Sequence, residues 1–151
     1  MNPTPEQIRA MKAGPELDAL VHEKWHPEDV IEWRWCCFLR GQFVDVSIVE
    51  PTKIMLKERG LEGAEVKYLP CMKAAQFSLP IPAYSTDGNA MLALLEKIRE
   101  DTGQAIEIMI SLDGVLVEFT NGIGWRNYDG EAKTLPLAVA IAASLAKGEE
   151  G

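Results

Sequence analysis

The stretch PAYSTDGNAMLALLEKIREDTGQAIEIMISLDGVLVEFTNGIGWRNYDGEAKTLPLAVAIAASL, residues 82–145, decides the fold. It predicts a helix opened by Tyr84-Ser85-Thr86-Asp87, a two-stranded ribbon, a third short strand and a closing helix. Ser85 is the predicted N-cap of the first helix, and Asp87 puts a negative charge at the positive end of its dipole. Thr134 is the predicted cap of the closing helix. The stretch therefore predicts a compact unit of helices packed on antiparallel strands.

The ribbon has a predicted register. Apolar and polar side chains alternate along both strands, and Asp113-Gly114 is a strong signal for a two-residue hairpin turn. With that turn, Leu112 faces Val115 and Ile110 faces Val117. Turn chemistry and alternation therefore predict the same apolar face.

The rest of the chain completes a single predicted domain, residues 1–151. Two short helices are expected before Pro27, which disfavours helical geometry at the residue preceding it. Residues 30–49 alternate like strands, whereas a longer and less regular segment is expected at about 26–80, where prolines interrupt the pattern. We predict an α+β fold: a layered α–β–α sandwich around a small antiparallel sheet of three to five strands.

Composition excludes several classes of function. The chain has 151 residues and a net charge of −8, which argues against non-specific binding to nucleic acid or anionic membrane. The longest apolar run, residues 135–143, is about half of a bilayer span. The polar start is unlike a signal peptide, and three cysteines suggest no disulfide framework. We expect a cytoplasmic protein.

Three segments together resemble one family. Residues 8–21 (IRAMKAGPELDALV), Tyr84-Ser85-Thr86-Asp87 and Thr134-Leu135-Pro136-Leu137-Ala138 resemble the opening, central and closing segments of the phage ABA-sandwich domain. The resemblance implies a phage or prophage protein with an α–β–α layered domain, cytoplasmic in the host cell. The family has no established activity and supplies no catalytic residues. The run after Asp87 departs from the family pattern, since it is not alanine-rich and has no tryptophan.

One motif points to metal chemistry. His22-Glu23-Lys24-Trp25-His26 fits H-E-x-x-H, in which two histidines one helical turn apart bind zinc and the glutamate activates a water molecule. Pro27 opposes helical geometry at His26, and the chain has no third histidine. We therefore expect no metal and no cofactor, and keep a zinc-dependent hydrolase with Glu23 as its base as the alternative.

Cysteines and aromatic residues are the remaining candidates. Cys36, Cys37 and Cys71 are expected to be buried free thiols. The tryptophans and a nearby tyrosine form a candidate aromatic binding surface made of Trp33, Trp35, Trp125 and Tyr128. Core packing is the competing interpretation of these rings.

Together these observations favour binding over catalysis. We expect a phage or prophage accessory protein whose partner is a host or phage protein, or a small nucleotide-like ligand. A zinc hydrolase is the first alternative. A homo-oligomeric structural protein is the second, favoured if the last helix or the Trp33/Trp35 face is unpaired in the monomer.

Overall fold

A computed structural model describes residues 3–74, 77–120 and 127–148. The chain divides into two compact units: residues 1–27 with 82–151, called here the helical unit, and residues 28–81, called here the sheet unit. The sequence did not predict this division. None of the described helices combines the length and hydropathy that a membrane span requires.

Two helices open the helical unit, α1 (Pro5–Arg9) and α2 (Pro15–Trp25). Thr4 caps α1 in a capping box, in which its side chain and that of Gln7 each accept a hydrogen bond from the other's backbone N–H. The second helix ends at Trp25, and His26 has φ −130° and ψ 63°, outside helical geometry. The predicted end of this helix before Pro27 is confirmed.

The sheet unit contains β1 (Ile31–Leu39), β2 (Gln42–Ser47), α3 (Lys53–Glu58), β3 (Glu65–Ala74) and β4 (Phe77–Pro80). Its strands form one antiparallel sheet in the order β2-β1-β3-β4. The expectation of a less regular segment here is wrong for β3 and β4, which form regular ladders. Pro70 lies within the ladder opposite Trp33. The strand therefore continues through this proline, although the prolines of the segment suggested that the strand pattern is interrupted.

The helical unit continues with α4 (Gly88–Thr102), β5 (Ala105–Ser111), β6 (Gly114–Thr120), β7 (Asn127–Ala132) and α5 (Leu135–Gly148). The three strands form an antiparallel sheet in the order β5-β6-β7, and α5 packs on β6 and β7. The predicted α+β fold is confirmed, with its strands in two antiparallel sheets of four and three strands where one sheet was expected. The closing helix is buried along most of its length, as its lack of a polar face predicted.

Two local predictions in this unit need correction. The cap of α4 is Asp87, whose side chain accepts from Asn89 N–H, and not Ser85. The hairpin turns at Leu112-Asp113, so Ile110 lies opposite Val115 instead of Val117. Because the register moves by two residues, the apolar side chains keep their predicted face, and only their partners change.

Thr134 lies at the start of α5, as predicted. Its Oγ1 accepts from Leu137 N–H at 3.4 Å, and its carbonyl accepts from Ala138 N–H. The close packing of α5 on the sheet depends on Gly130 in β7. A Cβ atom there would lie 2.0 Å from the Ala138 carbonyl oxygen and 2.8 Å from the Ala142 nitrogen. Only glycine lets the two backbones approach this closely.

Candidate functional site

Aromatic rings from two neighbouring strands meet on one face of the sheet unit. Trp35 lies opposite Tyr68, and Trp33 lies opposite Pro70 on the same strand pair. The Tyr68 ring contacts both indoles, with centroid distances of 4.8 Å to Trp35 and 5.5 Å to Trp33. Both ring pairs are tilted, a favourable arrangement for aromatic contacts.

The same face continues onto the edge strand β4. Met72 of β3 lies opposite Leu79, and Ala74 lies opposite Phe77. Strand alternation places Met72, Leu79 and Phe77 on the side that carries Tyr68. We call Trp33, Trp35, Tyr68, Leu79 and Phe77 the aromatic face.

The aromatic face is accessible. Tyr68 is 48% exposed and Phe77 is 70% exposed, while both tryptophans are half-buried. Large apolar side chains in a contiguous stripe are uncommon on a free surface and mark sites of interaction. The competing interpretation, in which the tryptophans only fill a core, does not account for the exposure of Tyr68 and Phe77.

A cation lies at one rim of this face. Arg59, which follows α3, places Nη1 3.3 Å from Asp45 Oδ2 and 3.2 Å from Ser47 Oγ. Ser47 lies opposite Trp35 in the β1–β2 ladder, so this polar cluster borders the indole. The rim therefore combines a positive and a negative group.

Arg34 of β1 and Lys67 of β3 lie on the opposite face and contact carboxylates. Arg34 Nη2 lies 2.6 Å from Glu32 Oε2, and Lys67 Nζ lies 3.4 Å from Glu65 Oε1. Lys67 also lies over the Phe38 ring, 5.5 Å from its centroid. The opposite face is thus the more charged one.

The predicted aromatic surface is only partly tested. Trp33 and Trp35 come together as alternation suggested, and Tyr68 completes the group. Trp125 lies outside the described residues. Tyr128 lies in β7 opposite Phe119, but its side chain is outside the described part of the chain. Tyr68 was missed because its place beside Trp33 and Trp35 depends on the pairing of β3 with β1, which the sequence of neither strand specifies.

The H-E-x-x-H motif takes a different arrangement from a zinc hydrolase. His22 is buried and its Nδ1 lies 2.7 Å from Tyr84 Oη. The His22 and His26 rings stack at 4.6 Å with an interplanar angle of 23°. The two histidines thus contact each other, and His22 also contacts Tyr84.

The glutamate of the motif points elsewhere. Glu23 is exposed and lines an open groove of about 490 Å³ between α1 and α2, with Glu16, Met11 and Leu20 among its neighbours. His22 is buried in the core on another side of the same helix. In the alternative hydrolase, the base would therefore be exposed while one of its two metal ligands, His22, is buried.

A buried polar cluster gives the Tyr84-Ser85-Thr86-Asp87 stretch a structural role. Ser85 N–H donates to Asp18 Oδ1 at 2.8 Å, and Ser85 Oγ accepts from Gly14 N–H at 2.9 Å. Burial raises the pKa of Asp18 above its usual range, and the hydrogen bonds from Ser85 oppose this rise. Tyr84 and Ser85 thus bind the loop before α4 to α2.

The three cysteines are free and buried, as predicted. Cys36 and Cys71 place their sulfurs 3.4 Å apart. This hydrogen bond, with burial, raises the pKa of the Cys36 thiol, while it lowers the pKa of Cys71 against the opposing effect of burial. Burial raises the pKa of Cys37, and the Asp45 carboxylate adds to that effect. The thiols of Cys36 and Cys71 are a packed pair on the face of the sheet that carries Arg34 and Lys67.

A second groove, of about 360 Å³, lies beside α3 and is lined by Lys53, Ile54, Leu56, Lys57 and Glu62, with Gly63 and Ala64. Neither groove has a serine, cysteine or histidine in its lining. The aromatic face is therefore the described surface with the clearest potential for recognition.

Comparison of the chain with protein-family models, with curated proteins and with solved structures finds no match.

Proposed function

We propose that the protein acts by binding another protein through the aromatic face of the sheet unit. The observation that carries the proposal is the contact of Tyr68 with both Trp33 and Trp35 on an accessible sheet surface. Tryptophan, tyrosine and arginine are the residues that contribute most binding energy at protein interfaces. The aromatic face supplies the first two, and Arg59 at its rim supplies the third.

Side-chain chemistry favours a protein over a nucleotide as the partner. A nucleotide needs cations for its phosphates as well as rings for its base. Arg59 beside the aromatic face is held by Asp45, and Arg34 and Lys67 lie on the opposite face beside carboxylates. A phosphate near Trp35 would meet the Asp45 carboxylate, which opposes its binding.

The proposed role is that of a phage or prophage accessory protein in the host cytoplasm. The resemblance of residues 8–21, of Tyr84-Ser85-Thr86-Asp87 and of the start of the last helix to the phage ABA-sandwich domain supports it. The aromatic face lies in residues 28–81, which are not part of those three segments. We infer that the partner is specific to this protein and not common to the family.

Site-specific photocrosslinking tests the proposal. The photoreactive residue p-benzoylphenylalanine replaces Tyr68 in one variant and Lys67 in a matched control. Both variants are expressed in bacteria. The two positions are neighbours in β3 on opposite faces, and both are about half exposed. Because only position 68 lies on the aromatic face, we expect a discrete protein adduct there and none at position 67.

Three results would overturn the proposal. The first is the same set of adducts at both positions. The second is an adduct at position 68 that contains only a second copy of this chain. The third is the absence of adducts together with saturable quenching of tryptophan fluorescence by mononucleotides, which would identify a small ligand instead.

A further inference from the structure

The outer edge of β5 is unpaired within the described residues. The sheet order β5-β6-β7 leaves this strand with β6 on one side only. The pairing with β6 is regular from Ala105 to Ser111, without a bulge. An edge of this length exposes a row of backbone groups that can accept another strand.

The register identifies which backbone groups are free. Ser111 and Gly114 flank the two-residue turn, and such a flanking pair exchanges both of its hydrogen bonds. Hydrogen-bonded and non-hydrogen-bonded pairs alternate along an antiparallel ladder. The N–H and C=O groups of Ile106, Ile108 and Ile110 therefore point away from β6.

The side chains along this edge are apolar and exposed. Ile108 is 43% exposed and Ile110 is 76% exposed, although their partners Val117 and Val115 are buried. The difference arises because α5 packs on β6 and β7 more than on β5. Two isoleucines on the helix-facing side of the sheet thus remain uncovered.

The strand lacks the devices that usually protect an edge. Natural edge strands carry lysine, proline or a bulge that prevents pairing. The sequence AIEIMIS has one charged residue, Glu107, and neither lysine nor proline. Met109, on the other side of the strand, is 62% exposed.

We propose that β5 pairs with β5 of a second copy of this chain, in antiparallel orientation about a two-fold axis at Ile108. In this register Ile108 lies opposite Ile108 of the second copy, and Ile106 lies opposite Ile110. The free groups of the three isoleucines are then the groups that bond across the axis. Such a pairing is isologous and closes at two copies.

The side chains are also self-complementary in this register. Six isoleucines, three from each copy, line one side of a continuous six-stranded sheet. Glu107 lies opposite Met109 of the second copy, so the two carboxylates do not face each other. Because each chain has a net charge of −8, salt strengthens the association by screening.

Sedimentation velocity across a wide concentration range tests the dimer. We expect a species of twice the 16.7 kDa chain mass that becomes more populated as salt increases. Ile110→Lys places a charge beside the partner strand and should raise the dimer dissociation constant about tenfold or more. Ile48→Lys is the matched control, because Ile48 is 77% exposed but lies in the sheet unit, and it should leave the constant unchanged.

Hydrogen exchange supplies a measurement that does not depend on a variant. The amides of Ile106, Ile108 and Ile110 should exchange more slowly as the protein concentration rises. A monomeric wild type at every concentration would overturn the proposal. So would a dimer that Ile110→Lys leaves intact, or amides whose exchange is fast and independent of concentration.

Discussion

His22 Nδ1 lies 2.7 Å from the Tyr84 hydroxyl, and both side chains are buried. The two residues are 62 positions apart, so the contact joins α2 to the loop before α4. A histidine that was a metal ligand only in the alternative hydrolase interpretation is thus part of the polar core. Tyr84, which opens the stretch that decides the fold, is its partner.

Removing the Tyr84 hydroxyl should destabilise the protein. We expect Tyr84→Phe to lower the free energy of unfolding by about 1–2 kcal/mol, because a buried ring nitrogen loses a hydrogen-bond partner. Tyr68→Phe is the matched control and should change it by less than about 0.5 kcal/mol, since that side chain is exposed. Urea unfolding followed by circular dichroism measures both, and equal stabilities would contradict the assignment.

The buried Asp18 should make stability depend on pH. Its pKa is raised in the folded protein, so between the ordinary aspartate range and that raised value the folded state binds more protons than the unfolded state. The contribution of Asp18 to stability is therefore fully present at acidic pH and falls as the pH rises through this window.

Asp18→Asn removes this titration while keeping an oxygen that can accept from Ser85 N–H. We expect the stability of the variant relative to wild type to rise as the pH increases from acidic to neutral. Urea midpoints of both proteins across this range measure the difference. A difference that is constant with pH, or that falls, would show that Asp18 does not titrate as described.

Local signals made much of the fold predictable. Thr4, Thr134 and Gly103 occupy the helix ends that their chemistry suits, and Gly103 has the left-handed φ of 68° expected after a helix. The hairpin face was predictable because alternation has a period of two. Its register was not, since a shift of two residues leaves the same face inside.

Long-range pairing limited what could be predicted of the site. Trp33 and Trp35 share a face by alternation within one strand. Tyr68 joins them only through the pairing of β1 with β3, which no local pattern specifies. For the same reason the contact of His22 with Tyr84 could not be read from either segment alone.

Gly130 should be intolerant of any side chain. Gly130→Ala puts a methyl group against the backbone of α5, so we expect a loss of about 3 kcal/mol or more in stability, or failure to fold. Gly88→Ala is the control, because no atom lies within 4 Å of the added carbon and its φ is not left-handed. Thermal unfolding compares the two, and an unaffected Gly130→Ala would contradict the packing of α5 on β7.

The stacked histidines should not hold zinc. We expect untagged protein to contain far less than one equivalent of zinc by elemental mass spectrometry, and its melting temperature to be unchanged by a chelator. The reason is that His22 is bonded within the core and its ring lies parallel to that of His26. Zinc near one equivalent that both His22→Ala and His26→Ala remove would contradict this expectation and favour the hydrolase alternative.

The most direct test of the aromatic face is calorimetric titration of the purified partner identified by crosslinking at position 68. The wild-type protein and Lys67→Ala should bind with similar dissociation constants, because Lys67 lies on the opposite face. Tyr68→Ala removes the ring that contacts Trp33 and Trp35, and should raise the dissociation constant about tenfold or more. If Tyr68→Ala binds the partner as tightly as wild type does, the aromatic face is not the binding surface.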